Sequence, residues 1–321
     1  MSSCAASDLI SMYEKMLFIR RFEERAGQLY GMGEVGGFCH LYIGQEAVAV
    51  GVEYCLTEED SVITSYRDHG VMIARGSPPE VIMSELLGRA SGCSGGKGGS
   101  MHVFDVNRNF FGGHGIVGAQ VSLGTGMALA CKYRGSDSVS VVYFGDGAAN
   151  QGQVYESFNM AVLWNLPVLY AIENNMYSMG SAVGDVSATA LLSCRGRSFD
   201  IPGYSVDGMD LMEVVRVTKD ALAHIRSGCG PAIVEYNTYR FRGHSMSDPA
   251  TYRSKDEVAA YKKRDPIEAL EKQLLDSGNI APAAIAEIRE NVKRRVAECV
   301  TYAQSSAFPD SASVFTNVYC L

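Results

Sequence analysis

Residues 138–177 read SVSVVYFGDGAANQGQVYESFNMAVLWNLPVLYAIENNMY, and the fold class follows from this stretch. Ser138–Phe144 (SVSVVYF) is rich in β-branched and aromatic residues, which predicts a strand buried on both faces. Gln151–Trp164 carries helical spacing, and Leu166–Ile172 (LPVLYAI) predicts a second buried strand. Strand, helix and strand in immediate succession make a βαβ unit, whose strands lie parallel. Working outward, Ala232–Tyr236 adds another strand, Asp8–Tyr30 a long first helix, and Glu46–Tyr54 a short apolar one. Toward the end, Asp265-Pro266 reads as an N-cap with proline at the first helical position, and Gly278 as a stop. A last helix carries Ile285, Ile288, Val292 and Val296. Strands alternating with helices predict an α/β fold: a mostly parallel sheet flanked by helices on both faces, followed by a C-terminal helical extension.

Chemistry concentrates at the two strand ends. Gly145-Asp146-Gly147 closes the first strand, and Asn174-Asn175 closes the second; Asp146 and Asn175 lie 29 residues apart (146 to 175). Adjacent parallel strands would bring them together in the crevice where such sheets bind ligands. A carboxylate oxygen and an amide oxygen are hard ligands of the kind magnesium takes, its other positions being filled by phosphate and water. The flanking glycines let the backbone close on a phosphate at a helix start. Residues 88–120 hold ten glycines interleaved with Met101, Phe104, Phe110 and Phe111, the composition of a loop that approaches something closely. The polar segment Tyr239–Ser254 (YRFRGHSMSDPATYRS) is expected to stay unpacked until an anion orders it.

Composition bounds the alternatives. The chain has 321 residues, 47% hydrophobic and 20% charged, with a net charge of −8 and a sequence pI near 5.3. An acidic surface gives no electrostatic basis for nucleic-acid binding. No run reaches the roughly 18 apolar residues of a membrane span, and Met1–Ser7 (MSSCAAS) lacks a signal peptide's basic and apolar regions. Nine scattered cysteines without a C-x-x-C pair point to a reducing compartment and small buried thiols.

The Gly-Asp-Gly…Asn-Asn arrangement resembles the cofactor motif of thiamine diphosphate enzymes. Further stretches extend the likeness: Gly37–Gly51 (GFCHLYIGQEAVAVG), Tyr66–Gly70 (YRDHG), Gly96–His102 (GKGGSMH), Gly112–Gln120 (GGHGIVGAQ), Glu173–Gly180 (ENNMYSMG) and Gly243–Pro249 (GHSMSDP). They run in order over roughly residues 10–260. The tail Val314–Tyr319 (VFTNVY) is similar as well. On these residues the chain resembles the alpha subunit of the pyruvate dehydrogenase first component, in the thiamine diphosphate-dependent 2-oxo acid dehydrogenase family.

The resemblance implies a thiamine diphosphate-binding fold at residues 1–260, its diphosphate-binding module, with 261–321 packed on the same domain. It implies that Asp146, Asn175 and the carbonyl of Tyr177 ligate Mg2+, and that Gly147 and Ala148 contact the diphosphate. Tyr66, Arg67 and His244 would also hold the diphosphate, and Gly115 and Val117 would meet the aminopyrimidine. His40 would act in proton or acetyl transfer, with His244 beside it as the second catalytic histidine. The implied reaction is oxidative decarboxylation of pyruvate with acetyl transfer to a lipoyl group, feeding acetyl-CoA. The implied partners are a beta subunit supplying the missing glutamate (an alpha2beta2 heterotetramer) and a lipoyl acetyltransferase core. Mitochondrial members of that family are phosphorylated at the serine matching Ser245. Residues 103–109 look longer than usual there, which leaves contacts in that stretch open.

Within this class, a branched-chain 2-oxo acid or acetoin is the alternative substrate. From another class, Gly113-His114-Gly115-Ile116-Val117-Gly118 fits the G-x-G-x-x-G of a NAD-binding Rossmann oxidoreductase. That reading is set aside because 103–112 do not read as the strand the motif requires. Taken alone, His40 would be a satisfied core histidine and Arg67 a surface ion-pair residue. The expected compartment is a bacterial cytoplasm, with the mitochondrial matrix as the alternative.

Overall fold

A computed structural model describes residues 4–318; Met1–Ser3 of the N-terminal reading and Tyr319 of the tail fall outside it. In chain order the elements are α1 (Ala6–Gly31), α2 (Glu46–Glu53), β1 (Ser61–Ser65), α3 (His69–Ala74), α4 (Pro79–Leu86), β2 (Phe110–His114) and α5 (Ala119–Arg134). Then come β3 (Ser140–Gly145), α6 (Gly152–Leu163), β4 (Val168–Asn174), the short β5 (Tyr177–Ser178) and β6 (Ser181–Ala182), and α7 (Val183–Val186). The chain continues through β7 (Gly203–Asp207), α8 (Leu211–His224), β8 (Ala232–Asn237), α9 (Lys255–Lys262), α10 (Pro266–Asp276) and α11 (Pro282–Ser305).

Six strands form one sheet in the order β2-β1-β3-β4-β8-β7, with every neighbouring pair parallel. The reason is visible in β3 and β4. Val141, Tyr143, Leu169 and Ala171 point into one core, while Val142, Phe144, Val168, Tyr170 and Ile172 point into the other. A two-residue period with apolar side chains on both sides needs cover on both faces. Helices α1, α2 and α8 supply the first cover, α5 and α6 the second. Each such side chain removed from water contributes about 1.5–3 kcal/mol. Helix α5 approaches closely because of Gly124, where a Cβ would stand 2.3 Å from Val142.

The predicted termini of the late helices hold. Asp265 accepts from the Ile267 N–H with Pro266 at the first turn, and Gly278 takes a left-handed φ of 70° just past α10. Helix α11 packs on α1 and α4, and α10 on α1. The eight cysteines among the described residues are all free, and none of their helices is long and apolar enough to cross a membrane.

One expectation is corrected. Residues 103–112 were read as lacking a strand, yet β2 covers Phe110–His114 and leads through Gly115–Gly118 into α5. Its glycines, Gly112 and Gly113, hid it from a propensity reading, and pairing with β1 supplied what propensity did not. The strand–turn–helix context of the G-x-G-x-x-G motif therefore exists. Its place is wrong for a dinucleotide fingerprint, which follows a central strand, because β2 is the sheet edge.

Candidate active site

Chain order reverses between β1 and β3: β2 lies on one side of β1, and β3, β4 and β8 lie on the other. This is the switch point where open parallel sheets bind ligands at the carboxyl ends of their strands. A cavity of about 280 Å3 opens there. The residues after β1 (Tyr66, Arg67), after β3 (Asp146, Gly147, Ala148) and after β4 (Asn175, Tyr177) line it, joined by Val117, Arg240 and His244. Nearly all the residues singled out in the sequence converge on this cavity. Gly115 and His40 do not line it; a Cβ at Gly115 would stand nearest the His102 ring, at 3.4 Å. A larger groove of about 680 Å3 between α1 and α11 lies away from the strand ends. Its charged side chains pair locally, as Arg21–Glu24 and Arg289–Glu271, so it makes the weaker candidate.

Two guanidinium groups are buried in the wall. Arg67 donates to the Leu41 carbonyl (2.7 Å) and the His244 carbonyl (2.7 Å), tying two loops together. Arg240, 1% exposed, donates to Asn175 Oδ1 (3.2 Å) and to the carbonyls of Tyr177 (3.0 Å) and Met179 (3.1 Å). Among the described residues neither forms an ion pair. Burial, then repulsion from Arg240, pushes Arg67 down to about 10. Two buried cations without paired carboxylates cost free energy unless an anion arrives.

The cavity also offers oxygens. Asp146 is 2% exposed, burial raises its carboxyl above the usual range, and among the described residues its side-chain donor is the Ser178 hydroxyl at 2.5 Å. The Asn175 amide oxygen and the Tyr177 carbonyl complete a set in which Arg240 already provides positive charge to two of the three. Gly147 is required here, since a Cβ would stand 2.5 Å from the Ser178 hydroxyl that holds Asp146. No cluster of three His, Cys, Asp or Glu side chains among the described residues could hold a metal. The oxygens of this cavity are a different donor set: one carboxylate, one amide and one carbonyl.

His40 stands behind Tyr66 and His244, with ring centroids 4.5 Å and 5.2 Å away. It is not a satisfied core histidine, because no described residue bonds its buried Nδ1, nor that of His244. Burial, then the Arg67 charge, lowers His40 to about 2 and His244 to about 4 from an ordinary 6.5. The folded state therefore holds both rings neutral while the unfolded chain binds protons below about pH 6.5. Their contribution to stability is full above that pH and is lost as pH falls through the folded values. Imidazole 15N spectra should show both rings neutral at about pH 5.5. Titration of either near 6.5 in the ligand-free protein would contradict this.

The segment 239–254 departs from expectation. Tyr239, Arg240 and Phe241 are buried, and Phe241 N–H and Met246 N–H bond to Ile43 (3.0 Å) and Cys39 (2.8 Å) carbonyls. The arginine packs because carbonyls satisfy its fork, a possibility that composition alone did not reveal. Arg242, two residues on, is exposed. Hydrogen exchange at Phe241 and Met246 is expected to be slow without cofactor, with ligand-dependent protection centred on His244, which lines the cavity. Uniformly fast exchange over 239–254 would refute that anchoring. Sequence reasoning also missed Glu173, Gln45, Ser178 and Gln120. All four sat within quoted motifs, but nothing in them showed which polar side chains turn inward.

Comparison with known proteins agrees with this geometry. The family model described as Dehydrogenase E1 component matches residues 14–312. A pyruvate dehydrogenase E1 component subunit alpha from Rhizobium meliloti (strain 1021) is 58% identical over 312 residues, covering 97% of this chain and 90% of that one. The protein of the same name from Rickettsia felis is 53% identical, covering 98% and 96%. A mitochondrial alpha-1 subunit from Oryza sativa subsp. japonica is 44% identical, covering 98% and 80%.

Proposed function

Since the chain belongs to the dehydrogenase E1 component family, we propose that it is the alpha subunit of a pyruvate dehydrogenase (acetyl-transferring), active only with a beta subunit. The reaction is oxidative decarboxylation of pyruvate with transfer of the acetyl group to a lipoyl group. One observation carries the site: a single cavity is lined by two buried arginines outside any ion pair among the described residues and by three hard oxygens, two of which Arg240 already contacts. That donor set fits a diphosphate bridged to a divalent cation. Thiamine diphosphate bound there would supply the electron sink for loss of carbon dioxide from a 2-oxo acid.

The chain's own residues then bind and orient. Asp146, Asn175 Oδ1 and the Tyr177 carbonyl would hold Mg2+. Tyr66, Arg67 and His244 would hold the diphosphate with the backbone of Gly147 and Ala148, which open the short helical turn before α6. Arg240 joins them as a second fixed cation. Val117 and Gly115 would meet the aminopyrimidine through backbone groups, Gly115 from just off the cavity wall. His40, neutral in the ligand-free chain, would offer its buried Nδ1 as a hydrogen-bonding group on the substrate side, and proton transfer there would require bound anionic groups to raise its low proton affinity. The carboxylic acid that must face the aminopyrimidine comes from the beta subunit in an alpha2beta2 assembly, docked on a lipoyl acetyltransferase core. The packing of 261–321 on the same unit as 1–260 is part of this reading, supported by the α10 and α11 side chains that share the α1 core. Relatives from Rhizobium and Rickettsia favour a bacterial cytoplasm.

The test is a co-expressed alpha–beta assembly offered pyruvate, 3-methyl-2-oxobutanoate and acetoin in parallel, with a lipoyl acceptor. Preference for pyruvate supports the reading. Preference for either of the others reassigns the substrate.

A further inference from the structure

We infer that Gln45 and Glu173 are positioning residues that lock the Asn175 amide with its oxygen toward the cavity; this rests on the metal reading above. Four hydrogen bonds form one buried chain. Arg240 Nη1 donates to Asn175 Oδ1 (3.2 Å), and Asn175 Nδ2 donates to Gln45 Oε1 (2.9 Å). Gln45 Nε2 donates to Glu173 Oε1 (3.3 Å), which also accepts from the Tyr42 hydroxyl. All five side chains are buried, Gln45 and Tyr42 completely.

The direction of every bond is dictated by the ends. A guanidinium can only donate, so the Asn175 atom it meets is oxygen. The NH2 of Asn175 then faces Gln45 and requires an oxygen there. That turns the Gln45 NH2 onto Glu173, whose contacting oxygen accepts. Flipping either amide would set donor against donor at one contact and acceptor against acceptor at the next. Each buried group left unsatisfied costs about 1–3 kcal/mol. Asn175, Arg240 and Glu173 line the cavity while Gln45 does not, so the locked orientation points the amide nitrogen away and the oxygen inward. An amide oxygen has two lone pairs, and Arg240 uses one, leaving the other for a cation. A free amide would present its NH2 to that cation in half of its orientations.

The geometry also assigns unequal tasks. Gln45, at the start of α2, is the direct orienter, and Glu173 orients Gln45. Glutamine at 173 keeps an oxygen that accepts both bonds, whereas leucine keeps none. The experiment measures Mn2+ affinity, by its paramagnetic signal, in the alpha–beta assembly with saturating thiamine diphosphate. It compares wild type with Gln45→Ala, Glu173→Gln and Glu173→Leu, and records the thermal midpoint of each without ligand. Gln45→Ala and Glu173→Leu are expected to weaken Mn2+ binding by about 10–100-fold, the usual effect of losing a ligand's outer partner. Glu173→Gln is expected to keep wild-type Mn2+ affinity. A purely structural role would instead lower the thermal midpoint and leave the metal affinity of the assembled protein unchanged. Wild-type affinity in folded Gln45→Ala, or equal losses in Glu173→Gln and Glu173→Leu, overturns the inference while the metal site stands. Absence of Mn2+ binding in the wild type removes the metal reading and this inference together. If Gln45→Ala does not assemble, the two Glu173 variants decide by the same comparison.

Discussion

Replacing Asp146 with alanine is expected to abolish metal-dependent cofactor binding while the ligand-free protein folds and assembles. The carboxylate is the one anionic oxygen of the proposed metal set, and magnesium takes few protein ligands, so each is hard to replace. Losing an outer partner of a metal ligand costs about 10–100-fold in affinity, so losing the ligand should exceed about 100-fold. Stability should respond in a different way. Burial already works against the Asp146 charge, and among the described residues the side-chain bond lost is that from Ser178. The net change in the ligand-free protein should be about 1 kcal/mol or less. Calorimetric titration of the assembly with thiamine diphosphate and Mg2+ reads the affinity, and a melting curve without ligand reads the fold. Unchanged affinity in the variant would remove Asp146 from the site.

Arg67→Ala should have the second largest effect, and Arg67→Lys a smaller one. The guanidinium ties the Leu41 and His244 carbonyls together while presenting positive charge to the cavity. Alanine loses the charge and leaves the buried Leu41 carbonyl and the part-buried His244 carbonyl without this donor, at about 1–3 kcal/mol for the buried one. Because His244 is held by one of those bonds, cofactor affinity should fall with the positioning of the loop. Lysine keeps the charge but replaces a planar fork with a point donor, and it can serve only one carbonyl well. The expected order of affinity for thiamine diphosphate is wild type, then Lys, then Ala. Equal, wild-type binding by both variants would return Arg67 to a purely structural role.

Most of the fold was legible because its determinants are local. The runs around Val141 and Leu169 are too apolar for anything but buried parallel strands, and Asp265-Pro266 states a helix start in two residues. Strand β2 was not legible, since Gly112 and Gly113 have low strand propensity and only the register against β1 makes them a strand. The site divided in a similar way. Asp146 and Asn175 could be placed together because a βαβ unit fixes where its two strand ends meet. Arg240 and Arg242 could not be told apart, as one is buried on carbonyls and the other exposed, and the difference lies in tertiary packing. The outer network through Gln45 and Glu173 joins α2 to β4 across 128 residues of sequence, a separation no local pattern spans.

The central claim is that this cavity is the diphosphate and magnesium half of a site completed by a beta subunit. Titrating thiamine diphosphate into the co-expressed alpha–beta assembly, with Mg2+ and then with the metal chelated, tests it most directly, with the alpha chain alone as the comparison. Tight binding by the assembly that collapses on chelation is expected, with weak binding by the alpha chain alone. Binding of equal strength with the metal removed, or by the alpha chain alone, would contradict it.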